Sequence, residues 1–151
     1  MTRLALGALL ATFCSAQQYR AYWADGFNRG FKTPAQVEEM VEDVARSRAN
    51  AIFMQTRLRA NSYYLDSLEP LAEDASWSTS FDALGYLIER AHAKGIEVHA
   101  WFTITPVWFA ATPPRDPKHV FNLHGPSAAG EEMWMTVGSA GGVSANYVDL
   151  G

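Results

Sequence analysis

The sequence predicts an α/β protein, the N-terminal part of a TIM-type (β/α)8 barrel about three βα units long. Three observations carry this. Strand-like and helix-like stretches alternate along the chain, which is the pattern of a parallel sheet with crossover helices. Polar residues gather at the C-terminal ends of the strand-like stretches, and long loops follow them. The stretch from Gly95 to Phe102 sets an apolar face against a polar-aromatic one. In such barrels the site lies where strands end in loops, so the second and third observations also say where to look for function.

The first sixteen residues read as a signal peptide outside the fold. Arg3 gives a short positive segment, Leu4 to Phe13 an apolar run, and Cys14-Ser15-Ala16 a small-residue exit. The run is too short to cross a bilayer. Phe13 stands where a lipid-attachment motif wants a small residue, so lipidation is the lesser expectation. Export to the periplasm or outside the cell is the greater. Cleavage after Ala16 would leave a domain of residues 17–151 with no cysteine.

The first strand is aromatic, from Tyr19 to Ala24, with Ala21 and Trp23 on one face and Tyr22 and Ala24 on the other, because side chains alternate with period two. Asp25 follows at the strand end, before Gly26. There a turn-forming role and a functional one weigh about equally. Thr33-Pro34-Ala35-Gln36 then reads as a capping box with proline at the first helical position. Val37, Met40, Val41, Val44 and Ala45 make one apolar stripe, and the helix should end near Arg48.

Residues 50–57 form the second strand. Ala51, Phe53, Gln55 and Arg57 share one face; Ile52, Met54 and Thr56 share the other. Gln55 and Arg57 are polar and sit at the C-terminal end. Arg57 either pairs with a carboxylate in the mouth or lines a polar, sugar-sized pocket; a buried guanidinium needs a partner in both cases. Residues 58–80 read as a long loop in which Tyr63 and Tyr64 stack on a ligand or, more commonly, pin the loop. Loops of that length tend to be functional. A second helix spans residues 82–94, with Leu84, Leu87, Ile88 and Ala91 as its stripe and His92 structural.

Gly95 ends that helix at little steric cost. In the third strand His99 and Trp101 share a face, while Ile96, Val98, Ala100 and Phe102 should pack under helices. Residues 103–145 form the longest loop. Their proline, glycine and aromatic content forbids one long helix, and residues 134–137 and 146–149 pair as a short hairpin. The chain stops without a closing helix, and an eightfold barrel takes about 250 residues, so a fragment of a longer protein is expected.

Composition is ordinary for a globular chain, 48% apolar and 19% charged. A net charge of −4 gives no reason to expect a nucleic-acid partner. There is no Gly-x-Ser-x-Gly elbow and no glycine-rich phosphate loop. The histidines do not cluster with carboxylates as metal ligands would, so no metal and no cofactor are expected. Aromatic side chains over a polar pocket are what sugar binding uses, although local packing explains aromatics in most loops.

Residues 19–25, 50–57, Tyr63-Tyr64, Leu68-Glu69-Pro70 and above all Ala91-His92-Ala93-Lys94-Gly95-Ile96-Glu97-Val98-His99-Ala100-Trp101 resemble the glycosyl hydrolase-like 10 family. Asp116-Pro117-Lys118-His119, His124-Gly125-Pro126 and Tyr147-Val148-Asp149-Leu150-Gly151 extend the resemblance over residues 19–151. It implies the N-terminal part of a TIM-type barrel in an exported bacterial protein with glycosidase activity on a cell-envelope or other polysaccharide. Leu150 departs from the family, which usually has proline there. The family's acidic fourth-strand motif lies beyond Gly151, so this chain is expected to lack the catalytic acid and to be inactive alone. The alternative is a non-catalytic carbohydrate-binding protein of the envelope. The candidate substrate-binding residues are Asp25, Gln55, Arg57, His99 and Trp101, with Asp25 the only supporting catalytic candidate. The partner is a glycan, without an integral membrane span.

Overall fold

The computed structural model describes residues 18–150; the signal-peptide expectation for residues 1–16 lies outside them. The strands are β1 (Ala21–Ala24), β2 (Ala51–Leu58), β3 (Asn61–Ser62), β4 (Glu97–Phe102), β5 (Met135–Val137) and β6 (Val143–Val148). The helices are α1 (Pro34–Arg46), α2 (Ala83–His92) and the short α3 (Val120–His124), followed by a 3-10 turn at Gly130–Glu132. β2 is the centre of the main sheet, with β1 and β4 parallel to it on either side. The register runs straight across: Trp23, Phe53 and His99 lie in one row, Gln55 and Trp101 in the next.

Helices α1 and α2 cover one face of this sheet. Val37, Val41 and Val44 from α1 and Ala83, Leu87 and Ala91 from α2 are fully buried against Ala24, Ile52, Met54 and Ile96. Of the stripes read from the sequence, Val37, Val41, Val44, Leu87 and Ala91 are buried and Met40, Ala45 and Leu84 pack partly buried beside them, whereas Ile88 stays outside this core and Ala83, not in the stripe, is fully buried. Thr33 caps α1, its Oγ1 accepting from the Gln36 amide at 3.3 Å. The reciprocal half of the capping box does not form: Gln36 Oε1 instead accepts from the amides of Gly30 and Lys32, folding the preceding loop back onto the helix.

Three expectations are corrected. Ala100 and Phe102 are exposed and not under a helix: of this run only Ile96, just before β4, and Val98 pack into the core, and β4 is an outer strand among the described residues. Residues 58–80 are not structureless: a two-residue turn at Arg59-Ala60 reverses the chain into β3, which pairs antiparallel with the end of β2. Both turn residues have positive φ, the geometry of a tight hairpin turn ordinarily made with Asn or Gly. Arg-Ala lacks that turn chemistry and so carries no hairpin signal. Residues 103–145 also hold structure. The hairpin forms as β5–β6, and it packs on the post-β4 loop, where Val107, Met135 and Ala60 make a second small core.

Candidate active site

The face of the sheet opposite the helices is bare. Trp23, 63% exposed, stacks on Phe53 at 4.7 Å, and Phe53 stacks in turn on His99 at 5.0 Å. Trp101 meets Trp23 edge-on at 5.0 Å. This aromatic row follows from period-two alternation in three strands held in register. At its N-terminal end Glu97 Oε2 accepts from the Tyr19 hydroxyl at 3.0 Å and lies 3.1 Å from His99 Nε2. His99 is thus paired within the sheet, a level below the loops. Glu97, two residues before His99 on the same strand face, was not among the predicted site residues, although the same alternation that paired His99 with Trp101 points to it.

Gln55 is buried and joins two strand ends. Its Oε1 accepts from the Gly26 amide at 2.9 Å, and its Nε2 donates to Thr103 Oγ1 at 2.6 Å. Arg57 lies just past a register irregularity in the β2–β4 ladder, a kind of feature that re-aims side chains near sites. It grips Glu69 with Nε and Nη2 at 2.6–2.9 Å and donates through Nη1 to the carbonyls of Thr103 and Ile104. Of the two readings of Arg57, the carboxylate partner is the one the geometry contains. Gln55 and Arg57 shape the mouth by fixing the loops around it.

Asp25 caps its own turn: Oδ1 accepts from the amides of Phe27 and Asn28, and both oxygens receive the Asn28 side-chain amide. Burial pushes its carboxyl up, but those hydrogen bonds outweigh it and hold the group below the usual carboxylate range. An acid kept ionised cannot donate a proton at neutral pH, so Asp25 suits electrostatic support.

Two clefts open at the strand ends. One, about 330 Å³, is mainly apolar and is lined by Phe27, Gln55, Arg59, Trp101, Thr103 and Phe109. The other, about 380 Å³, is polar and is lined by Phe27, Lys32, Arg59, Asn61, Tyr63 and Asp74 among others. Phe27 and Arg59 belong to both. In the polar cleft Lys32 Nζ contacts Asp74 at 2.8 Å, and Asp74 also accepts from the Tyr63 hydroxyl at 3.0 Å. Burial acts against the Asp74 charge, yet hydrogen bonds from Lys32 and Ser76 bring its pKa down to about 2. Burial and the Asp74 charge push the Tyr63 hydroxyl up. Tyr63 packs on Phe31 and Trp77 and so pins the loop.

Of the five predicted residues, the sheet brings Gln55 and Trp101 to the same cleft. Arg57 stands beside it, Asp25 on the adjoining loop and His99 one level below. Arg59 and Phe109 were missed; no spacing rule marks either. Among the described residues no group of three or more His, Cys, Asp or Glu is placed to hold a metal. Nor is any described helix long and apolar enough to cross a membrane.

The family model for glycosyl hydrolase-like 10 matches residues 18–138. A curated protein named glycosyl hydrolase YngK, from Bacillus subtilis (strain 168), is 27% identical to the chain. The match covers 62% of this chain and 21% of that protein, so the chain spans about a fifth of its relative's length.

Proposed function

The chain belongs to the glycosyl hydrolase-like 10 family, and from that premise we propose that it forms part of the glycan-binding mouth of a glycosidase acting on a bacterial cell-envelope polysaccharide. The observation that carries the reading is the bare row of aromatic rings leading to a cleft walled by Trp101 and Phe109. An uncovered run of rings costs free energy in water unless something covers it, and the C–H faces of a pyranose do so well. Both outer strands, β1 and β4, pair on one side only among the described residues. On this reading further βα units pair there, and the aromatic face lines a TIM-type barrel.

Glycoside hydrolysis uses two carboxyl groups across the scissile bond. Around this mouth Asp25 is held by its turn, Glu69 by Arg57, Glu73 by Arg115 and Asp74 by Lys32. We therefore assign binding and positioning to the described residues and the catalytic acid to strands contributed by the remainder of the barrel. The same engagement of every mouth carboxylate favours a second reading, a carbohydrate-binding protein of the envelope without turnover. In both, Trp101 is the apolar wall, Asp25 supports charge, Gln55 and Arg57 hold the loops, and His99 with Glu97 fixes the ring stack beneath. Export, with residues 1–16 as the leader, belongs to the proposal; the mature N-terminus of protein recovered from cell fractions checks it.

Cell-wall glycan sedimentation and release of reducing ends test function together. Binding with turnover by the full-length protein supports the glycosidase, and binding without turnover supports the second reading. Absence of both, with Trp101→Ala indistinguishable from the parent, would remove the glycan altogether.

A further inference from the structure

Arg59 has a guanidinium in the wall of both clefts and no carboxylate or carbonyl partner for it among the described residues. Its charge rests between two rings, 5.2 Å from the Phe27 centroid and 5.4 Å from that of Phe109. The nearby acids are already engaged, Asp74 with Lys32 and Glu73 with Arg115. Arg57, two residues earlier, makes the contrast: nearly every donor it has is used. In the polar cleft the buried Asn61 also keeps an Oδ1 with no hydrogen-bond partner.

The backbone beneath Arg59 is held in an uncommon conformation. Arg59 and Ala60 both have φ of 55°, which costs a non-glycine residue free energy and persists only where surroundings enforce it. Here they do. His119 Nε2 donates to the Arg59 carbonyl at 2.9 Å, Asn61 Nδ2 approaches the same oxygen at 3.3 Å, and Ala60 is buried in the second core. His119 is fully buried, and burial pushes its pKa down, so it serves as a neutral donor. The long post-β4 loop thereby locks the turn that aims Arg59.

We propose that Arg59 binds a carboxylate on the glycan and makes the mouth selective for acidic sugars; this rests on the glycan reading above. A planar guanidinium offers two parallel N–H donors that match a carboxylate, which a hydroxyl cannot use in the same way. The rings of Phe27 and Phe109 sit beside the guanidinium in the wall shared by both clefts, and its N–H donors have no carboxylate or carbonyl partner there among the described residues. The rings stack on the sugar, and the arginine selects among sugars.

The test is calorimetric binding of a soluble oligosaccharide from bacterial cell-wall glycan, before and after chemical reduction of its carboxylates to alcohols. The parent protein should bind the acidic form about tenfold more tightly, the scale of one charge-assisted contact. Arg59→Gln should bring the acidic form down to the reduced one without moving the thermal midpoint, and Arg59→Lys should fall between. Equal binding of both forms by the parent overturns the inference and leaves the glycan reading standing. A preference that survives in Arg59→Gln also overturns it. If neither form binds, the glycan reading fails and takes this inference with it. The parent arm decides even where a variant does not fold.

Discussion

The two faces of the parallel sheet are made by the same three strands and have opposite fates. On one, Ile52 and Met54 disappear under α1 and α2. On the other, Trp23, Phe53 and His99 stack in a row with Trp101 edge-on to Trp23, the first exposed and the rest half-buried. Hydrophobicity alone does not distinguish them, since a tryptophan is as apolar as a methionine. What differs is ring shape, spacing and the presence of a covering layer. The covered face is where stability should reside, and the open one is where ligand contact should reside.

The largest expected effect lies at neither face but at the ion pair in the wall of the polar cleft, where Lys32 is buried. Lys32→Met leaves Asp74 beside a buried, uncompensated position, which should cost about 3–5 kcal/mol in denaturant unfolding. The double variant Lys32→Met with Asp74→Leu should recover most of it, because removing both charges removes the unpaired one. A single variant as stable as the parent would show that the pair is solvated and contributes little. Next, Leu87→Ala should destabilise by about 3 kcal/mol, as lost burial and an unfilled cavity add together.

Acid should act on the same pair. The folded pKa of Asp74 is about 2 against an ordinary 3.8, so its ionised form is favoured by folding. Its contribution, about 2 kcal/mol, is complete above pH 4 and lost as pH falls through 2. His119, buried and neutral, adds a loss in the same direction that begins nearer its ordinary value. Comparing the parent with Asp74→Asn in acid titrations isolates the carboxylate: the variant should start lower and have a shallower fall below pH 4. The smallest expected effect is on the open face, where Trp23→Ala should cost about 1 kcal/mol, the value of one exposed stacked pair. A cost as large as that of Leu87→Ala would mean that this face is core.

The same contrast explains how much could be read from the chain. The helix stripes and strand alternation follow from periodicity, so α1, α2, β2 and the shared face of His99 with Trp101 were legible, whereas the register shift between Gln55 and Arg57, which interrupts the alternation that put these two together, was not. Thr33 was legible as a cap. Two further kinds of feature were not. Burial along β4 depends on which elements cover it, which no local pattern encodes: Phe102 has the alternation of a core residue and is exposed. The Arg59-Ala60 turn has none of the residues that favour positive φ; the long loop that holds it lies some sixty residues away. Arg57 and Arg59 look alike in sequence, and tertiary contacts alone separate the saturated arginine from the open one.

The most direct measurement is a heteronuclear NMR titration of the five tryptophan indole N–H signals with cell-wall glycan fragments. Trp77 is an internal control, 4% exposed in the covered core with its indole N–H donated to the Phe81 carbonyl. The Trp101 and Trp23 signals should move in a saturable way while Trp77 stays still. Movement of Trp77 with Trp101 and Trp23 unmoved would contradict the assignment of ligand contact to the open face.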